Sequence, residues 1–437
     1  MKRKPNIAVI GAGWAGLAAA EQLCGRAEVT VFEAGKTAGG RARALAGEGS
    51  GFARLDNGQH ILLGAYRQVL ALLARCGVAE EDAFLRLPMQ WRMHGGLSFA
   101  AKNLPAPFHL LAGVLTAKGA GQGGRLALLR QMRALQSYSA SPDMSVAAWL
   151  RQQQVSRHLW QMFWQPLVWG AMNTDLEQAA LWRLQNVLRD GVWHSKTGSD
   201  MLLPRRDLGS LLVAPLCRRL AKHGVRLRLQ TRVGAPEIGL SGSLKLAGET
   251  FDAVVVAAAP YHAPALLPAG TPAEVHDALS QLRYHAITTV YLRYAQAPKL
   301  PAPMTGLAEG TAQWLIDRHA LGMGWHELSA VISLSEQHGA LSREQWIERV
   351  HRDVLRVCPD LGEPLAGFAL TEKRATSAAA ISAPAVPQAW LRQQRVYLAG
   401  DYLHPRYPAT LEAAVQSGEQ AAALLMADWA RLGPAML

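Results

Sequence analysis

Three glycines, Gly11, Gly13 and Gly16, follow the apolar run Ile7-Ala8-Val9-Ile10, and Glu33 closes a second apolar run, Val29-Thr30-Val31-Phe32. In such a pattern the first glycine permits a tight turn. The second lets the backbone come up against a pyrophosphate, and the third lets the following helix sit close on its strand. The helix predicted from about Ala15 to Leu23 then offers free N–H groups and a partial positive charge to the phosphates. Glu33 stands 17 residues beyond Gly16, near the roughly 20 at which a carboxylate meets a ribose hydroxyl. Together these residues predict a dinucleotide site.

Further along, Gly39-Gly40-Arg41-Ala42-Arg43 joins a flexible backbone to a guanidinium that could pair with phosphate. Leu55-Asp56-Asn57-Gly58-Gln59-His60 combines turn residues with a titratable imidazole. At the other end, Gly400-Asp401 puts an acid at a strand end, and Thr410 is a cap candidate for a long Ala-rich helix to about Trp429. An extended cofactor needs such a second anchor.

The elements that must position these groups are legible in outline. Leu211 to His223 reads as an amphipathic helix ending at Gly224, and Val225 to Val233 as a half-buried strand. Phe251 to Ala259 reads as a buried parallel strand. Strand-like segments recur at 286–294, 313–317 and 328–334, followed by a helix over 343–357. A first and a last strand that both end in glycine turns point to a ligand across the carboxyl edge of one sheet.

The chain has 437 residues, half of them hydrophobic, and 45 Lys and Arg against 33 Asp and Glu. That balance suits a solvated basic surface as well as attraction to an anionic membrane or an acidic ligand. No nucleic-acid module is recognisable. Cys24, Cys76, Cys217 and Cys358 show no C-x-x-C spacing, which argues against a zinc site or a disulfide framework and suits a reducing compartment. Met1-Lys2-Arg3-Lys4 before apolar residues imitates a secretory signal, but the strand–glycine–helix order accounts for the stretch better. No run approaches the 18 or more apolar residues of a membrane span. The expectation is a cytoplasmic protein, soluble or peripheral on the inner face of the cytoplasmic membrane.

The Gly11/Gly13/Gly16…Glu33 unit, the Gly39-Gly40-Arg41 loop and Leu398-Ala399-Gly400-Asp401 with its helix resemble the flavin-dependent amine oxidase and phytoene desaturase superfamily over essentially the whole chain. Leu55 to His60, Phe163-Trp164-Gln165-Pro166-Leu167 with Asn173-Thr174, and Leu403 to Gly418 are similar to its squalene-associated branch. The resemblance implies an α/β fold. A Rossmann-like FAD-binding domain would be built from residues 1–75, 203–260 and 375–437. An α+β substrate domain, facing the membrane, would come from 76–202 and 261–374. It implies FAD, held without a covalent link. Gly11, Gly13 and Gly16 would border the pyrophosphate and Glu33 the ribose. Gly40 and Arg41 would lie along the phosphates, Val233 would meet the adenine side, Gly400 and Asp401 the ribityl–phosphate region, and Thr410-Leu411 the underside of the flavin ring.

The branch implies a long isoprenoid substrate and reductive removal of the hydroxyl from hydroxysqualene. A phytoene-type desaturase and a non-catalytic FAD-fold lipid carrier are the alternatives. His60 and His404 are the candidates for the acid that releases the hydroxyl. Trp160 and Trp164, spaced i, i+4, and Trp169 are candidates to line a hydrocarbon tunnel, although such a stripe equally suits a core helix. Pro105 to Leu135 mixes apolar and basic residues in a way that suits a bilayer interface or a plain surface helix. No second dinucleotide fingerprint of comparable quality is present, so the electron donor, unidentified by the sequence, would be a nicotinamide or another reductase acting directly.

Overall fold

The computed structural model describes residues 3–47, 49–139, 141–239 and 242–432; Met1 and Lys2 of the signal-like start lie outside them. The strands that position the site are β1 (Asn6–Ile10), β2 (Glu28–Phe32), β3 (Gln90–Arg92), β4 (Ser98–Ala100), β5 (Arg226–Arg228) and β6 (Ala253–Val256). They continue with β7 (Tyr284–Arg293), β8 (Met304–Gly306), β9 (Trp314–Asp317), β10 (Glu327–Ser333), β11 (Ala366–Ser377) and β12 (Val396–Leu398). The helices used below are α1 (Trp14–Leu23), α2 (Phe108–Leu115), α3 (Gly121–Ser137), α4 (Gln165–Met172), α5 (Ala214–Lys222), α6 (Arg343–Val357) and α7 (Leu411–Leu432).

Five strands form a parallel sheet in the order β5-β2-β1-β6-β12. They come from three stretches far apart in the chain, and the last strand lies one strand away from the first. The alternation along β1 explains the layering. Ile7 and Val9 face one side, with Leu17 of α1, Leu216 of α5 and Leu425 of α7. Ala8 and Ile10 face the other, with Phe251, Val254 and Leu398. Successive side chains of a strand point to opposite faces, so both faces of this sheet are dry. Each fully buried Val, Leu or Ile is worth about 1.5–3 kcal/mol of transfer free energy.

The second sheet is antiparallel, in the order β8-β9-β10-β7-β11, with α6 packed on it. A capping box at Ser342 and Gln345 starts α6. The far face of this sheet meets a helical region rich in Trp, where Trp314 and Ile316 share a core with Trp149, Phe163 and Trp164. Met201–Pro204 pairs with Leu62–Leu63 and Phe84–Leu87, which ties the helical region to the parallel-sheet side.

Two expected elements differ. The strand read over Val225 to Val233 pairs only at Arg226–Arg228. It is an edge strand, and β2 ends at Phe32; beyond it the Thr231 and Gln230 N–H groups donate to Glu33 O and Gly35 O across a turn at Gln230, φ +52°, and the regular ladder stops. The helix read over Leu211 to His223 begins with a π-helical turn, Gly209–Val213, before α5.

The two ends of the chain meet at α1 and α7. A Cβ on Gly418 of α7 would fall 2.0 Å from the Ala15 carbonyl oxygen of α1. Backbone cannot yield there as a flexible side chain would. Gly418→Val is therefore expected to destabilise the protein by about 3 kcal/mol or more. Urea unfolding of the variant beside the parent checks this; an unchanged midpoint would show that the helices separate freely.

Candidate active site

The carboxyl edge of the parallel sheet opens into a cavity of about 950 Å³, which extends between the two sheets to the Trp-rich region. Its wall carries Gly11, Gly13, Glu33, Gly40, Arg41, Val233, Gly400, Asp401, Thr410 and Leu411, together with His60 and Trp169.

The glycine turn is built for close approach. Gly11 has φ +106°, and a Cβ there would lie 2.6 Å from the Ala257 carbonyl oxygen. A Cβ on Gly16 would lie 1.9 Å from the Gly11 carbonyl oxygen, so Gly16 sits beneath the turn and off the cavity wall. Gly13 caps α1 and leaves its first N–H groups free of any side-chain cap. The Gly39–Gly40 loop backs onto it: Gly39 N–H donates to Ala12 O at 2.8 Å, and a Cβ on Gly40 would come within 3.1 Å of Gly13 Cα. Glu33 accepts the Ala12 N–H at 2.8 Å and the Gly35 N–H at 2.7 Å. Each carboxylate oxygen keeps acceptor capacity for a ligand hydroxyl.

Arg41 joins the two ends of the chain. Its Nη2 donates to both oxygens of Asp401, at 2.7 and 2.8 Å, and its Nη1 to Ala375 O at 2.8 Å. Burial opposes the guanidinium charge, yet the Asp401 carboxylate raises its proton affinity above the ordinary value. Two of its five N–H donors remain for an anion beyond these three bonds. Asp401 itself follows Gly400, whose N–H donates to Ser417 Oγ of α7 at 3.0 Å. Thr410 Oγ1 accepts the Ala413 N–H at 3.1 Å, the N-cap bond expected of it. A cradle that a Cβ would fill, a helix N-terminus and a second anchor at the chain's other end fit an extended dinucleotide.

The two candidate acids part company. His60 lies on the wall; its Nδ1–H donates to Gly58 O at 2.8 Å, which leaves Nε2 as an acceptor. Burial pushes its pKa down to about 4, and the Arg41 charge acts in the same direction. At neutral pH it is an uncharged imidazole. His404 is off the wall and fully engaged: it donates from Nε2 to Gln416 Oε1 at 2.9 Å and accepts the Arg406 and Tyr407 N–H groups at Nδ1. Its ring stacks on Tyr407 at 4.6 Å. The acid role expected of His404 is thus corrected to an organising one, and the residue it orders, Tyr407, does line the cavity.

The tryptophan expectation is also corrected. Trp164 is fully buried, donates from Nε1 to Gln131 Oε1 at 2.9 Å and packs edge-on against Trp149. Trp160 packs on the same core, and neither side chain reaches the cavity; Trp169 does. Trp160–Trp164 form a π-helical turn, in which bonds run i to i+5, so the α-helical facing of i and i+4 is lost.

Aromatic wall residues that sequence reasoning missed include Tyr66, Trp91, Tyr261, Trp314, Tyr402 and Tyr407. They come from separate segments, and no spacing in the chain announces them. Asn173, noted in the sequence without a role, ends α4 in a left-handed conformation and bridges Thr376 and the Leu334 N–H.

The profile described as flavin containing amine oxidoreductase matches residues 14–426. The chain belongs to that family. A flavin is therefore its cofactor and oxidoreduction its chemistry. Its relatives include hydroxysqualene dehydroxylases of Rhodopseudomonas palustris, 29% identical over 97% of this chain and 98% of the relative, and of Zymomonas mobilis, 26% identical over 96% and 98%. Among solved structures, cyclohexylamine oxidase from Brevibacterium oxydans superposes with a TM-score of 0.70 at 16% identity, over 98% of this chain and 99% of that one. Reduced UDP-galactopyranose mutase gives 0.71 at 14%, over 98% and 95%. At such identities the likeness is one of fold.

The state of His60 makes a measurable difference. Its folded pKa lies below the unfolded value near 6.5, so the unfolded chain binds the extra proton first. Stability is full above pH 6.5 and falls as the pH drops towards about 4. Denaturation from pH 7.5 to 4.5 is expected to show a shallower acid loss in His60→Gln than in the parent. Parallel curves would place His60 in water.

Proposed function

We propose that this protein binds FAD without a covalent link and reductively removes the hydroxyl of hydroxysqualene, giving squalene. Support comes first from the near full-length likeness to three proteins bearing that activity's name. The observation that carries it in the structure is the state of the cavity's acids. The carboxylates on the wall are Glu33, Asp190, Glu372, Asp401 and Glu412. Each already accepts hydrogen bonds from the protein's own donors. Beyond them the wall joins polar side chains such as Asn57, Gln59 and Asn173, and the tyrosines named above, to an apolar stretch of Met89, Trp91, Leu167, Trp169, Met304 and Val331. Such a stretch suits a hydrocarbon. None of the four cysteines is on the wall, which supports non-covalent binding.

When bound, reduced flavin supplies hydride to the carbon that loses its hydroxyl, and that oxygen leaves as water with one added proton. Glu33, the Gly11–Gly13 turn, Arg41, Asp401 and the start of α7 would hold the coenzyme. Val233 would face its adenine end and Leu411 its ring. His60, protonated in the loaded site, would donate from Nε2 to the departing hydroxyl. Its low proton affinity rises only when a negative charge enters the cavity beside it, so its acid role is tied to the charge of the loaded site. Trp169 and its aromatic neighbours would shield a developing allylic cation. The substrate is too apolar for free solution, so the protein would work as a peripheral protein on the cytoplasmic face of a membrane, with electrons from a nicotinamide or a reductase. Among the described residues no helix is long and apolar enough to cross a membrane.

Anaerobic, photoreduced enzyme mixed with hydroxysqualene is expected to reoxidise its flavin and form squalene. Flavin that stays reduced rejects the reading, and bleaching of oxidised enzyme by phytoene would replace it with a desaturase. His60→Gln is expected to keep its flavin and to slow reoxidation by about 10²–10⁴-fold, the range of a general acid. A rate equal to the parent's would remove His60 from the chemistry.

A further inference from the structure

From Ala83 to Pro142 the sequence has no Asp or Glu and seven Lys and Arg. The same stretch holds five of the ten large apolar side chains that are exposed among the described residues: Leu104, Phe108, Leu111, Leu115 and Leu126, with the remaining five on separate elements. The helix α2 has no charged residue apart from the option of His109, and it is apolar on two opposite sides. Its inner side, Leu110, Gly113 and Val114, is buried. Its outer side, Phe108, Leu111 and Leu115, faces out at i, i+3 and i+7, with Leu104 continuing the stripe. Lys102 and Lys118 stand exposed at the two ends. A helix apolar all round belongs inside a protein or against lipid, and only one side of this one is covered.

The helix also touches the cavity's framework. A Cβ on Gly113 would fall 2.5 Å from the Ala100 carbonyl oxygen, so α2 lies directly on β4. The strand β4 pairs with β3, and Ala101 N–H donates to Met89 O at 2.8 Å. Met89, Gln90 and Trp91 are cavity wall. On the other flank His109, buried in the helix, bonds Ser199 Oγ at 3.1 Å through Nε2, two residues before the wall residue Met201.

We infer that Leu104, Phe108, Leu111 and Leu115 insert into an anionic bilayer, with Lys102 and Lys118 on its headgroups, and that the isoprenoid substrate passes between bilayer and cavity beside α2. The occupant is lipid because the stripe is apolar at its centre and cationic at its rim, with no carboxylate in the segment to repel acidic headgroups. The inference rests on the proposed lipid-dissolved substrate for the passage, but the docking surface stands on its own observations.

The full flavin-loaded chain is sedimented with phosphatidylcholine vesicles, with and without phosphatidylglycerol. It is expected to bind the anionic vesicles and to bind less at high salt. The variant Phe108→Ser/Leu111→Ser/Leu115→Ser is expected to lose roughly tenfold or more of that partitioning. Lys102→Glu/Lys118→Glu is expected to lose it for anionic vesicles, and it leaves the core untouched should the serine variant fail to fold. With hydroxysqualene in detergent micelles both variants should turn over as the parent does; with hydroxysqualene in vesicles both should be slower. A parent that stays in the supernatant, as it would if this face took a protein partner instead, overturns the inference. So do variants that sediment like the parent. A parent inactive in micelles as well would count against the proposed reaction, and the sedimentation would still decide the surface.

Discussion

Backbone lying directly on backbone, with no side chain between, is the constraint on which the molecule depends. Gly16 rests on the Gly11 carbonyl, Gly40 on the Gly13 Cα, and Gly418 on the Ala15 carbonyl. These three contacts join the first strand, the loop after the second strand and the last helix into one body. A Cβ at Gly16 or Gly418 would push the pieces apart by about an ångström, and one at Gly40 by a few tenths; close-packed interiors have little slack to absorb either. The cavity exists because the pieces are held this near while much of the chain between them, apart from α5, β5 and β6, is looped out to form its far wall.

Ion pairs cross that junction: Arg75 joins Glu21 of α1 to Glu419 of α7, and Arg41 meets Asp401 on the cavity wall. Arg41 and Asp401 are 360 residues apart and share two short bonds at the mouth of the parallel sheet. Away from it the cavity changes character. Its other carboxylates are spoken for by backbone amides, Asn57, Gln416 or Tyr407. His60 is held neutral by burial. Acids already hydrogen-bonded and an uncharged imidazole lower the desolvation cost of admitting an apolar ligand.

Much of the coenzyme end was legible in the chain because its requirements are local. Gly11, Gly13 and Gly16 must be small for reasons that hold within a few residues, and Glu33 and Thr410 act on amides close in sequence or at a helix start. The helix over Arg343–Val357 was legible to the residue, since its capping box and amphipathic period are both local. The strand at Arg226–Arg228 was overread, because where an edge strand stops depends on where its neighbour stops. Trp164 and Trp160 misled because the period used to place them is that of an α-helix, and this turn is wound wider. His404 looked like an acid for want of its partners: Gln416 and the amides of Arg406 and Tyr407 occupy both ring nitrogens only once α7 and the preceding loop are packed.

Composition and spacing alone thus pointed to a dinucleotide site between the chain's two ends, because close backbone approach and helix N-termini leave a signature in residue type. Only the tertiary structure decided what the rest of the cavity is. Its walls are single residues drawn from many segments, and their protonation and freedom to bond depend on burial and on partners hundreds of residues away. The same distance explains why an acid-free stretch in the sequence became an interpretable surface only when α2 was seen to cover one of its two apolar sides and leave the other bare.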